Sequence, residues 1–269
     1  MSYISFNTLF ENGSVDEVSK TFKQFESNRI VISQRLGKLN SYTDSLGLGQ
    51  GADGFYQGYG KYAQDVLIPA FIAAYTGRDP GSISLIKQSN PNTKSNPFKG
   101  YTPLPNWRVT YNGLTRIPGL EKIFSNFTLS HAYTCNLGMN SYNSSLLFQD
   151  PFGLGFPKFR DTLTGNFVPF FLVPNITINE QFAPLIDMDV QFTNQISFRA
   201  EYRKSRTLSL SLVDFQLSEN RSTEFVIGGG WRKRGVFSFL TWKGKALDND
   251  ASFRLDFSIR DDATVNSRL

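Results

Sequence analysis

From Phe127 to Met139 the chain alternates without a break. Phe127, Leu129, His131, Tyr133, Cys135, Leu137 and Met139 fall on one side, and Thr128, Ser130, Ala132, Thr134, Asn136 and Gly138 on the other. A period of two residues marks a strand with one apolar and one wet face, because successive side chains of a pleated backbone point to opposite sides. Soluble strands usually run ~5–6 residues and membrane-spanning strands ~9–11, so this segment is long for either. Whatever it folds into must supply a cover for one face, either a packed core or lipid.

The pattern recurs. Trp107, Val109 and Tyr111 alternate with Arg108, Thr110 and Asn112; Ile176, Ile178 and Phe182 share a face, as do Ile186, Met188, Val190 and Phe192. After a turn at Asn194 come Ile196, Phe198, Ala200 and Tyr202, then strands at Leu208 to Leu217, Phe225 to Trp231, Val236 to Trp242 and Phe253 to Ile259. Opposite the apolar residues stand Asp187, Asp189, Gln191, Ser197, Arg199, Glu201 and Arg203. Short polar stretches, Ser218 to Ser222 and Asp248 to Asp250, read as hairpin connections. The expected architecture is mainly β, an antiparallel meander with no helices between strands. A soluble sandwich would turn the apolar face inward; a transmembrane barrel would turn it to lipid and keep Asp187, Asp189, Gln191, Arg199, Glu201 and Arg203 in a polar lumen. Pattern alone leaves both open. Aromatic residues near strand ends (Trp107, Tyr133, Tyr142, Tyr202, Trp231 and Trp242) suit an interfacial girdle.

The first hundred residues have another character. Ser14 and Glu17 form a capping-box pair ahead of Val15, Val18, Phe22, Phe25, Ile30, Val31 and Leu36, with Gly13 and Gly37 as punctuation, which predicts a helix. A Gly-rich stretch over 46–60 reads as a flexible loop. Gln64 to Tyr75 reads as an apolar helix that Pro69 should kink or delimit. The expected division is a helical, Gly-rich region over 1–78, an irregular linker over 79–105, and barrel strands over 106–269.

Composition narrows the function classes. A net charge of +5 comes from scattered basic residues, and no nucleic-acid-binding motif is present, so no nucleic-acid partner is expected. The one cysteine, Cys135, excludes an intramolecular disulfide and a multi-cysteine metal site. No run of 18 apolar residues predicts a transmembrane helix, which leaves a β-barrel untouched. The N-terminus lacks a basic and an apolar signal region, which leaves a cytoplasmic protein or an incomplete piece of an exported one.

Several words resemble the SprA (Sov) family, the outer-membrane translocon barrels of the type IX secretion system. They are Asp65-Val-Leu-Ile-Pro-Ala-Phe-Ile-Ala-Ala-Tyr-Thr-Gly77, Pro103-Leu-Pro-Asn-Trp-Arg-Val-Thr-Tyr-Asn-Gly-Leu114, Phe127-Thr-Leu-Ser-His131, Glu180-Gln-Phe-Ala-Pro-Leu-Ile186, Glu201-Tyr-Arg-Lys-Ser-Arg206 with Leu208-Ser-Leu-Ser211, and Arg254-Leu-Asp-Phe-Ser-Ile-Arg-Asp-Asp262. They span about residues 60 to 262 in family order and resemble a C-terminal portion of much longer proteins. The resemblance implies an outer-membrane location, part of a very large single-chain barrel of up to 36 strands, and passage of secreted cargo, including gliding-associated surface proteins. It implies as partners the remaining strands of the same barrel, cargo proteins, outer-membrane and periplasmic partner subunits, and the lipid bilayer. It implies no cofactor and no catalysis.

The candidate chemistry is thin. His131 and Cys135 share a face but lie ~13 Å apart at ~3.3 Å per residue, too far for a proton-transfer dyad. Asp187 and Asp189, at ~6–7 Å, meet the spacing of an inverting glycosidase, as does any Asp-x-Asp on a strand. Asp261-Asp262 reads as a solvated turn, and the Gly-rich stretch lacks the Lys and Ser/Thr of a phosphate loop. Two rival readings are a soluble all-β binding module with a helical extension and a surface hydrolase using Asp187, Asp189 or Glu201.

Overall fold

The computed structural model describes residues 9–10, 19–86, 88, 105–234, 236, 241–242, 245–246 and 250–269. Among the described residues, three α-helices precede the strands, α1 (Lys20–Leu39), α2 (Ser41–Ser45) and α3 (Gln64–Thr76), and one 3-10 turn, Gly113–Arg116, falls between strands where no helix was expected. The strands are β1 (Trp107–Tyr111), β2 (Phe124–Met139), β3 (Asn143–Ser144), β4 (Phe171–Leu172), β5 (Asn175–Phe192), β6 (Ile196–Ser211), β7 (Gln216–Arg234), β8 (Thr241–Trp242), β9 (Lys245–Ala246) and β10 (Asp250–Arg268). Six of them form one antiparallel sheet in the order β1-β2-β5-β6-β7-β10, and β3-β4 and β8-β9 are small separate pairs. The sheet is open, with β1 and β10 at its edges.

The strands run through several expected breaks. Ile176 to Phe192 is one strand, with a register shift and a cis Ala183–Pro184 bond between Phe182 and Ile186. Ser218 to Ser222, read as a connection, lies inside β7, and Asp261-Asp262, read as a turn, lies inside β10. Both stretches are polar because they are strand segments with wet neighbours: Asn220 donates to Thr264 at 2.9 Å and Arg260 to Asp262 at 3.0 Å. The expected strand Leu208 to Leu217 is instead the end of β6, a turn over 212–215 and the start of β7. Ser211 and Asp214 close that turn by accepting and returning hydrogen bonds. The expected Val236 to Trp242 strand and the Asp248 to Asp250 connection lie largely outside the described residues.

Helix α1 begins at Lys20, where the Ser19 hydroxyl accepts from the Phe22 amide at 3.1 Å; the Ser14–Glu17 box falls outside the described residues. Phe22, Phe25, Ile32 and Leu36 form its buried stripe, whereas Val31 points outward. Gly37 does not end the helix. A Cβ there would meet the Tyr56 ring at 2.1 Å, so glycine is needed for the close approach of the Gly-rich segment. That segment is a series of hydrogen-bonded turns, with Gly51 donating to Phe55 and Gln57 to Gly49, and so differs from the flexible loop expected. At Gly58, with φ +89, a Cβ would collide with Phe167 at 2.4 Å.

Helix α3 is buried from Asp65 to Tyr75 and runs unbroken through Pro69, as suits a helix apolar on all sides. Gly77 ends it in the left-handed conformation. The Gln64 amide locks it to the segment after β4's start, donating to the Phe171 carbonyl at 2.6 Å and accepting from the Val173 amide at 2.7 Å. Helices and sheet share one core, in which Phe25, Ile32, Phe71, Tyr133, Ile176, Leu208 and Leu210 all take part. Within the expected 79–105 linker, Ile83, Ile86 and Gln88 are buried, while Asp79, Gly81 and Ser82 are exposed.

Gln88 donates to Asp65 at 3.0 Å and accepts from the Phe170 amide at 2.5 Å. Burial pushes the Asp65 carboxyl up to about 7 against this opposing hydrogen bond. In the unfolded chain the group titrates near ~3.9. The native state therefore holds this proton more tightly, and the stability it contributes is full below about pH 4 and lost as pH rises to about 7. In detergent micelles, the denaturation midpoint is expected to fall between pH 4 and pH 7.5, and Asp65→Asn to remove most of that fall. An unchanged slope in the variant would show that another group carries it.

Candidate functional site

The two halves of the sheet differ. Cross-strand partners share a face, so the register orders the apolar face into rows. Beginning at the β5–β6 turn, the rows across β6, β7 and β10 are Ile196, Trp231, Phe253; then Phe198, Gly229, Leu255; then Ala200, Ile227, Phe257; then Tyr202, Phe225, Ile259. Strand β5 adds Val190, Met188 and Ile186 to the last three. On β10 the rows are open, with Phe253, Leu255, Phe257 and Ile259 keeping 68, 67, 62 and 59% of their surface, whereas Val190 on β5 is buried. From Ile196 to Tyr202 the four rows run six residues, ~20 Å along the strands.

Two charged rows follow on the same face. The first holds Lys204, Thr223 and Asp261 with Phe182 and Tyr133; the second holds Arg206, Arg221 and Ala263 with Glu180 and Cys135. Beyond them Leu208, Leu210, Leu217, Ile176 and Ile178 are buried with the helices. Arg206 donates through Nε (3.1 Å) and Nη2 (2.6 Å) to one oxygen of Glu180, whose other oxygen accepts from the Tyr133 hydroxyl at 2.9 Å. Glu219 lies 3.6 Å from Arg206 and accepts from Arg221 at 2.7 Å. The Tyr75 ring of α3 covers the Arg206 guanidinium at 5.8 Å. Burial pushes the Tyr75 hydroxyl upward, and Glu219 adds to that shift. No feature of the alternation singled out this cluster, although Lys204 and Arg206 stand in the apolar register of β6.

The polar face gathers most of the residues assigned to it. Asp187 lies directly across from Glu201, a like-charge pairing that is unfavourable alone. Arg199 resolves it by donating to Asp187 at 3.2 Å and to Glu201 at 3.0 Å. Arg203 donates to Glu201 at 2.5 Å and to Glu224 at 3.2 Å. The result is a chain of alternating charge across β5, β6 and β7, with Glu201 only 4% exposed. Glu224 was missed in the sequence because it falls outside the alternation quoted for β7. Asp189 faces Arg199, and Gln191 faces Asn126 and Ser197. Arg254 with Asp256 (2.7 Å) and Arg260 with Asp262 (3.0 Å) continue the pattern along β10.

The six aromatics of the expected girdle occupy different levels. Trp107 stacks on Tyr133 at 4.6 Å, and Tyr202 lies one row away. Trp231 marks the opposite end of the four apolar rows and is 49% exposed. Tyr133 is wholly buried between the rings of Trp107 and Phe182, and Tyr142 stands on the segment before β3 against Phe171. The Trp242 side chain lies outside the described residues. His131 holds the Leu185 carbonyl at 2.7 Å through Nδ1, and Cys135 is buried.

Removing one partner of a buried ion pair leaves an uncompensated charge and costs ~3–5 kcal/mol. Arg206→Met is expected to lower stability by about that amount, and Glu180→Gln in the same chain to recover a substantial part. Denaturant titrations in micelles measure both; a double variant no more stable than the single one would show that Arg206 acts by packing alone.

No family model matches the chain, and no curated protein matches it.

Proposed function

We propose that this chain is part of the wall of a large outer-membrane β-barrel of the SprA type, a conduit for secreted proteins with no chemistry of its own. The observation that carries the reading is the pair of opposed faces on the outer half of the sheet. One face carries four apolar rows over ~20 Å along the strands, the sidedness with which transmembrane barrels meet lipid. The other carries arginine–carboxylate pairs of both signs. In this reading the first face meets lipid, and the second lines a hydrated lumen whose balanced charge does not hold cargo electrostatically. The free edges of β1 and β10 pair with further strands of the same barrel, since unpaired edges are not tolerated in hydrocarbon. Secreted cargo passes along the polar face, and partner subunits of the translocon dock on the same assembly.

A second reading has its own support. The buried helix α3, in one core with Ile176, Leu208 and Leu210, is of the kind a soluble binding module uses, and such a module would cover the four apolar rows with another protein surface.

A label distinguishes the two. In a Cys135→Ser background, a nitroxide at Phe257→Cys, in protein reconstituted into phosphatidylcholine bilayers, is expected to be accessible to oxygen and shielded from a water-soluble nickel chelate. A label at Arg199→Cys is expected to show the reverse. Equal access of the chelate to both positions would reject the membrane-wall reading and favour the soluble module.

A further inference from the structure

The helical layer and the four apolar rows lie on the same face of the sheet. The register fixes this, because Ile196, Phe198, Ala200 and Tyr202 run through Lys204 and Arg206 to Leu208 and Leu210 on β6 without a change of side. If the four apolar rows meet lipid, the helices are outside the barrel wall, on the lipid side, and the first charged row lies where hydrocarbon gives way to headgroups. This inference rests on the membrane-wall reading above.

That row has two-signed chemistry. Lys204 comes from β6, Thr223 from β7 and Asp261 from β10, side by side in register. The Lys204 ammonium is held 4.6 Å over the Phe10 ring, at the lower rim of the helical layer. Phe10 itself packs against Phe182 at 5.7 Å and stays 45% exposed. Asp261 is exposed at the sheet edge. The other charged groups nearby are Arg206, Glu180, Glu219 and Arg221, which are engaged with one another. Below the row stand Tyr202 and Phe225, aromatic residues of the type that collects at membrane interfaces. An ammonium, a hydroxyl and a carboxylate at one level complement a headgroup with a phosphate and an amine: the long lysine stem reaches from apolar surface to place its charge in the polar layer, and the carboxylate receives the amine.

We propose that the Lys204–Thr223–Asp261 row is a phospholipid-headgroup site of the ethanolamine type, on which the helical layer rests against the membrane surface from outside the barrel.

Two measurements on the full chain test it. In the Cys135→Ser background, a nitroxide at Thr223→Cys is expected to relax strongly with nickel carried on a chelating lipid headgroup, while one at Phe257→Cys does not. If Phe257→Cys is in lipid but Thr223→Cys is remote from the headgroup nickel, this inference fails and the membrane-wall reading stands. If Phe257→Cys is not in lipid, both fail. Second, native mass spectrometry from mixed micelles counts bound phosphatidylethanolamine and phosphatidylglycerol. K204A and D261N are each expected to lower phosphatidylethanolamine retention about threefold or more, with K204R restoring most of it and circular dichroism unchanged. Retention unaffected by either substitution, or retention of phosphatidylglycerol that matches phosphatidylethanolamine and ignores D261N, would overturn the two-signed site.

Discussion

The buried pair of Arg206 and Glu180 determines how the two halves of this molecule fit together. A fully enclosed ion pair carries a desolvation cost that its own attraction barely offsets, so the polar groups placed around it decide whether it is tolerated. Here Tyr133 supplies a hydroxyl, Glu219 a second carboxylate and Tyr75 a ring face, from β2, β7 and α3. Arg206 and Glu180 are also direct cross-strand partners. A slip of two residues between β5 and β6 would set Arg206 against Ile178 or Phe182, so the charge pins the register that the apolar pattern alone leaves degenerate.

This pinning gives each strand two environments. Toward the helices, the apolar face is buried in one core with residues of α1 and α3. Toward the β5–β6 turn, the same face is largely exposed on β10. Strands β2, β5, β6, β7 and β10 are long because they serve both regions. The polar face needs no such division. Its carboxylates stand in like-charge opposition and its arginines bridge them, which keeps the strands paired while the surface stays wet. The outer pairs along β10 are exposed and contribute ~0–1 kcal/mol each, whereas Glu201 is buried beneath the arginines that bridge it.

The glycines act where backbones meet rings. Gly37 and Gly58 make room for Tyr56 and Phe167 and so weld the 46–60 segment to α1 and to the segment preceding β4. A stretch that reads as flexible by composition becomes ordered, because rings supply the contacts that glycine lacks.

What the sequence determined by itself is local: the period of two that makes strands, the sidedness of residues 186–203 and 253–260, the antiparallel meander, and the apolar helix at Gln64 to Tyr75. These follow from side-chain alternation and intrinsic turn chemistry, which need no knowledge of distant segments. Strand ends were legible only in part, since Ser218 to Ser222 and Asp261-Asp262 are as polar as turns and differ from them only in having paired neighbours. Asp187, Arg199, Glu201 and Arg203 were legible as one face, but their linkage with Glu224 required the register. Only the tertiary structure decided that the helices cover the apolar face at one end, that Tyr133 and Asp65 are buried, and that Arg206 is paired inside the protein. Those outcomes depend on contacts between residues tens to more than a hundred positions apart, and neither alternation nor composition encodes which of two identical-looking halves of a strand receives the cover.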